Sequence, residues 1–118
     1  MYQNHETGKA GETAAVMFLE ERGYRILERN WRHHHLELDI IAFKGMILHI
    51  FEVKTRHSIQ FGWPEESIGK NKMRFLKNAA EAYQFQNKQW KYLQFNVVSI
   101  TMESDSIKEI FLLEDVYF

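Results

Sequence analysis

The strongest constraint in this 118-residue chain is a pair of apolar, strand-like runs, separated by a glycine turn, that carry charges where apolar residues dominate. The first contains Asp39-Ile40-Ile41-Ala42; after a turn at Lys44-Gly45 the second runs over residues 46–54 and ends Phe51-Glu52-Val53-Lys54. Withdrawing a charge from water costs free energy unless a partner or an ion offsets it, so these charges are functional candidates. So short a turn between residues 36–43 and 46–54 predicts an antiparallel hairpin. Strand side chains alternate with period two, so Glu52 and Lys54 share a face with Leu48 and Ile50. Hairpin pairing brings Asp39 opposite Glu52 or diagonal to it. The result is an Asp…Glu-x-Lys constellation, with hard oxygen ligands for Mg²⁺ or Mn²⁺ beside an ammonium that can polarise a water or a phosphate. The same triplet also reads as an internal Glu52–Lys54 ion pair with Asp39 at a strand end.

The length predicts one domain over residues 1–118, too small for an enzyme with a separate substrate domain. Hydrophobic residues make up 45% and charged residues 26%, a balance that argues against long disorder. With no cysteine, a disulfide framework and a thiolate metal site are excluded, and a reducing compartment fits. No leader-like start and no apolar run of membrane length is present, which predicts a cytoplasmic protein without a membrane partner. A net charge of −1 is no global attraction for nucleic acid, yet the charge is unevenly spread. Arg22, Arg25, Arg29 and Arg32, then Lys54, Arg56, Lys70, Lys72, Arg74 and Lys77, make the middle basic, while Glu103, Asp105, Glu109, Glu114 and Asp115 make the tail acidic.

Helical spacing of Ala10, Ala14, Met17 and Phe18 predicts a helix over residues 7–22, ended by Gly23 in a left-handed cap. Glu12 lies on the flank of that stripe with Ala15, Val16 and Leu19. Residues 24–29 have strand character, and residues 30–35 are polar enough for a loop or strand end. After a loop over residues 55–63, Pro64 with Glu65 and Glu66 signals the start of a second helix reaching about residue 86. Its buried stripe is Ile68, Leu76, Ala79, Ala80 and Tyr83; Lys72 falls on that stripe, and Lys70, Arg74 and Lys77 on the opposite side. Residues 92–100 read as a strand reached by the helical crossover, hence parallel to the one before it, and residues 107–113 as a last strand. The order α-β-β-β-α-β-β predicts an α/β fold with helices packed on a mixed sheet.

Taken together, Gly8-x-x-Gly11-Glu12-x-x-Ala15, Gly23-Tyr24-x-Ile26-Leu27-x-Arg29-Asn30, Glu37-x-Asp39-Ile40-Ile41-Ala42, Phe51-Glu52-Val53-Lys54-x-Arg56 and Phe61-Gly62-x-Pro64, with the helix bearing Lys72, resemble the bacterial YraN family over about residues 6–100. That family is similar to the PD-(D/E)xK nucleases, near the archaeal Holliday-junction resolvases. The resemblance implies a restriction-endonuclease-like fold and phosphodiester hydrolysis of DNA, with branched DNA as a candidate substrate. Asp39 and Glu52 would then hold Mg²⁺ or Mn²⁺ with the Val53 carbonyl, Lys54 would orient the attacking water, and Glu12 would be a further ligand or supporting acid. Arg56 and Lys72 would contact phosphate, with Lys70 and Arg74 as further nucleic-acid contacts. Two departures stand out. Leu36 replaces a usual glycine, and Gln94-Phe95-Asn96 replaces Arg-Phe-Asp, which loses an ion pair near the far edge of the sheet.

Competing readings remain for several residues. His33-His34-His35 cannot all face one ion from a strand and are read as a solvated loop. Trp63, with Phe61, either stacks on a base or closes the loop onto the core; Lys72 either contacts phosphate or snorkels past the helix end. Beside the nuclease stand a non-catalytic nucleic-acid-binding module and an interaction protein whose carboxylates serve only as internal partners. A homodimer is the natural way to place two sites on one branched substrate.

Overall fold

The computed structural model describes the backbone of residues 4–57 and 70–116, and side chains within 9–57 and 71–116. Helix α1 (Asn4–Glu21) is followed by strands β1 (Arg25–His33), β2 (Leu36–Lys44) and β3 (Ile47–Arg56), helix α2 (Lys70–Gln86), and strands β4 (Tyr92–Glu103) and β5 (Ser106–Leu113). The sheet order is β1-β2-β3-β4-β5. β3 and β4 pair in parallel across the α2 crossover and the other neighbours are antiparallel. The chain thus has the expected α-β-β-β-α-β-β order and a mixed sheet flanked by helices, consistent with an α/β nuclease-like fold. Among the described residues no helix is long and apolar enough to cross a membrane.

The elements differ from expectation mainly at their ends. The β2–β3 turn is Gly45-Met46 rather than Lys44-Gly45, because Lys44 still pairs with Ile47 and Gly45 takes the positive φ of 64° that a two-residue hairpin needs. β1 continues through residues 30–33, where Trp31 pairs with Leu38 and His33 with Leu36. Polarity hides this extension, and Asn30 tolerates a φ of 52° within it. The features expected at Phe61, Gly62, Trp63, Pro64, Glu65, Glu66 and Ile68 lie outside the described residues.

Each helix covers its own face of the sheet. Met73, Leu76, Ala79, Ala80 and Tyr83 of α2 form one core with Leu38, Ile41, Leu48, Ile50 and Val97. Ala15 and Leu19 of α1 form the other with Tyr24, Ile40, Ala42, Phe51, Val98, Ile100 and Met102. The α1 stripe is therefore Gly11, Ala15 and Leu19, not Ala10, Ala14 and Met17; Met17 is 59% exposed. Close approach selects this face, since a Cβ on Gly11 would lie 2.6 Å from Thr55 Oγ1. Within β2, Leu38 and Ile41 join one core and Ile40 and Ala42 the other, so the alternation breaks at Asp39. Asn96 lies in β4, next to the edge strand β5, 1% exposed and in register with Phe51 of β3.

Candidate functional site

Pairing between β2 and β3 runs from Lys44↔Ile47 to Ile40↔Phe51, and Asp39 and Glu52 are the next residues beyond the last pair. There a side chain takes over from the ladder: the Val53 N–H donates to Asp39 Oδ2 at 2.8 Å. A carboxylate accepting a main-chain N–H is held in place by the strand that carries its partner carboxylate.

Glu52 is buried at 7% exposure on the α2 face of β3. Its Oε2 lies 3.6 Å from Lys54 Nζ, on the same strand face, and 3.4 Å from Lys72 Nζ, which reaches in from α2. Charge-assisted hydrogen bonds of this kind are shorter, about 2.7–2.9 Å, so the two ammoniums flank the carboxylate without closing on it. Asp39 is raised to about 7: burial is the main cause, and the charges of Glu52 and Glu12 add to it, while the Val53 N–H and Lys72 act the other way. Asp39 thus carries its charge reluctantly beside Glu52, while two ammoniums flank Glu52 itself.

Glu12 reaches this cluster through its field, and its carboxylate is held elsewhere. Asn30 Nδ2 donates to Glu12 Oε1 at 2.8 Å, and Arg29 Nη2 stands 3.2 Å from the same oxygen and 3.1 Å from Thr13 Oγ1. Arg29 and Asn30 are thus the positioning residues that sequence reasoning left without a role, although both stand in the quoted motif. Their signal is an Arg-Asn pair in a strand that faces a helical acid.

Arg56 ends β3, half-buried and in register with Thr101. Lys70 is the first described residue of α2, and its side chain lies outside the described residues. Arg74 and Lys77 are exposed and Lys72 turns to Glu52, so α2 separates these lysines and the arginine as its periodicity predicts. The histidines form a contact of their own, with His33 Nδ1 3.2 Å from Gln86 Nε2 and the His35 ring edge-on to Phe75.

Among the described residues no group of three or more histidines and acids is gathered as a metal cage. The donors of Asp39, Glu52 and the Val53 carbonyl nonetheless suit Mg²⁺ or Mn²⁺. Such ions accept one or two carboxylates and complete their shell with water and phosphate oxygens.

The chain matches the model of uncharacterised protein family UPF0102 over residues 11–100. A UPF0102 protein of Bacteroides thetaiotaomicron is 43% identical, covering 94% of this chain and 96% of its own. Another, from Dictyoglomus turgidum, is 46% identical, covering 84% and 85%, and one from Clostridium perfringens is 41% identical, covering 97% and 95%. Among solved structures, Pyrococcus furiosus SfsA in complex with Ca²⁺ superposes with a TM-score of 0.37 at 16% identity over 94% of this chain and 63% of that one, a likeness too weak to argue from. The family match and the extent of these relatives make the chain a member of UPF0102, the YraN family that its motifs resemble.

Proposed function

We propose that this protein is a metal-dependent nuclease of PD-(D/E)xK type that hydrolyses phosphodiester bonds in DNA, branched DNA among them. The observation that carries the reading is the hydrogen bond that ties Asp39 to the Val53 N–H, beside Glu52 where β2–β3 pairing ends, with Lys54 two residues further on the face of Glu52. Asp39, Glu52 and the Val53 carbonyl would hold Mg²⁺ or Mn²⁺, which would supply charge stabilisation for the phosphate under attack. Lys54, anchored by its strand, orients the attacking water and its ammonium offsets charge developing on the phosphoryl oxygens. Glu12, fixed by Arg29 and Asn30, supports the cluster from α1. Arg56, Lys70, Lys72 and Arg74 supply phosphate contacts that position the strand without reading its sequence.

One observation favours a second reading, a nucleic-acid-binding module without catalysis: the two lysines already balance Glu52. Mn²⁺-dependent cleavage of four-way, flapped, single-stranded and linear duplex DNA, with Glu52→Ala as control, separates the two. Products that need Mn²⁺ and vanish in Glu52→Ala support the nuclease. Salt-sensitive binding that survives Glu52→Ala, without cleavage of any substrate, supports the module.

A further inference from the structure

We propose that Lys72 is a resident counter-cation, occupying the side of Glu52 that a divalent ion would take, and that ion binding releases it toward the phosphate. The inference rests on the nuclease reading and deepens it, because it couples the ion to the substrate at the same site.

Glu52 is buried and has two ammoniums for one carboxylate, Lys72 at 3.4 Å and Lys54 at 3.6 Å. Asp39, across the strand pair, also feels the Lys72 charge. Glu52 alone already faces two ammoniums; adding a divalent ion beside it concentrates more positive charge there, and the cheapest relief is for one ammonium to move away. Lys54 is badly placed to move. It is carried on β3 two residues from Glu52, its backbone pairs with Ser99, and its side chain is 29% exposed. Lys72 is 46% exposed and extends from a helix that Met73 and Leu76 anchor beside it, so its stem swings to solvent while α2 stays docked.

The consequence is positive coupling. An ion that displaces Lys72 frees an ammonium at the mouth of the site, and a phosphate that draws Lys72 outward opens Glu52 to the ion; linkage makes the two effects equal. Lys72 so reconciles its inward position with a phosphate-binding role, since it takes each in turn.

The test is a calorimetric titration of the full chain with Mn²⁺, without nucleic acid, on wild type, Lys72→Met and Lys72→Gln. Both variants are expected to bind Mn²⁺ about threefold to tenfold more tightly than wild type, a size set by the partial exposure of the lysine. Their thermal midpoints in chelator are expected to fall, because Glu52 loses a resident partner. Lys72→Gln keeps a polar group at the position and reports on the same question should the methionine variant fold poorly. Wild-type binding with no tighter binding in either variant overturns this inference and leaves the nuclease reading standing. Absence of Mn²⁺ binding in wild type overturns both.

Discussion

Two buried polar regions lie on β3, three residues apart and on opposite faces, and they are built in contrasting ways. Around His49 the hydrogen-bond partners are neutral amides and the contacts short. Asn96 Oδ1 accepts from Gln94 Nε2 at 2.9 Å and from the Asp115 N–H at 2.8 Å, which leaves Asn96 Nδ2 to donate to His49 Nδ1 at 3.0 Å, while the Tyr24 ring packs edge-on against the imidazole. Around Glu52 the groups are charged and the ion-pair contacts are 3.4 and 3.6 Å. A polar group kept inside for structural reasons is paired with neutral hydrogen-bond partners, as His49 Nδ1 and the Asn96 amide are. Around the Asp39–Glu52 cluster the contacts are charged and, among the described residues, the ammoniums stand beyond hydrogen-bond closure, and Asp39 has raised proton affinity, as groups at functional sites often do.

The largest effect that would break this contrast is on chemistry. Glu52→Gln and Lys54→Ala are each expected to lower Mn²⁺-dependent cleavage of branched DNA by about 10²-fold or more, a scale set by removal of one preorganised electrostatic contact, with the fold intact by circular dichroism. Initial rates at wild-type level in Lys54→Ala would make that lysine structural.

Next comes stability at the neutral network. Asn96→Ala strands the Asp115 N–H and the imidazole, at a cost of about 2–3 kcal/mol. Urea unfolding reads this, and Mn²⁺ affinity is expected not to change. A cost close to zero would show that the network is dispensable and dissolve the distinction.

The two regions should also respond to pH with opposite signs. Asp39, raised from 3.8 to about 7, binds its proton more tightly in the folded chain, so its contribution to stability falls as pH rises from about 4 to about 7, by roughly 3–4 kcal/mol as a ceiling. His49 is pushed below 6.5 by burial, so its contribution is fully present above that pH and is lost as pH falls through and below it. Unfolding free energies from pH 4 to pH 8 should lose the first slope in Asp39→Asn and keep the second. An unchanged profile in Asp39→Asn would remove the argument for a strained carboxylate. The smallest effect belongs to Arg29→Ala, about 0.5 kcal/mol or less, because this guanidinium is substantially exposed and Asn30 still holds Glu12. Chemical denaturation bounds it, and a loss above 1.5 kcal/mol would promote Arg29 to a structural keystone.

What could be seen in the residues follows from which forces leave a local mark. The hairpin, the parallel crossover and most of the α2 stripe are written in apolar periodicity, whereas the exact register of Asp39 against β3 is not, because the turn falls one residue later than expected and the alternation of β2 breaks at Asp39. Met73 escaped notice because it replaces nothing in the stripe and simply widens it. The α1 face is hidden for a different reason. Hydrophobicity points to Met17, whereas packing turns on a residue with no side chain, Gly11, which lets the helix come down on Thr55. The hold of Arg29 and Asn30 on Glu12 joins residues 17 and 18 positions apart, and no local pattern records such a contact. The departure at Asn96 looked like a lost ion pair, but the amide found a neutral arrangement that satisfies it.

The strictly sequential strand order has a consequence for how the molecule assembles. Glu12, Arg29, Asn30, Asp39, Glu52 and Lys54 all precede the end of β3, in a meander whose strands pair with their chain neighbours. Their meeting closes only short loops, and short loops are entropically the least costly to close. Lys72 arrives on a different schedule, with the helix that must cross over before β4 can pair. The acids are gathered by the quick, local half of the folding reaction, and the cation that completes their balance is delivered by the slower, nonlocal half.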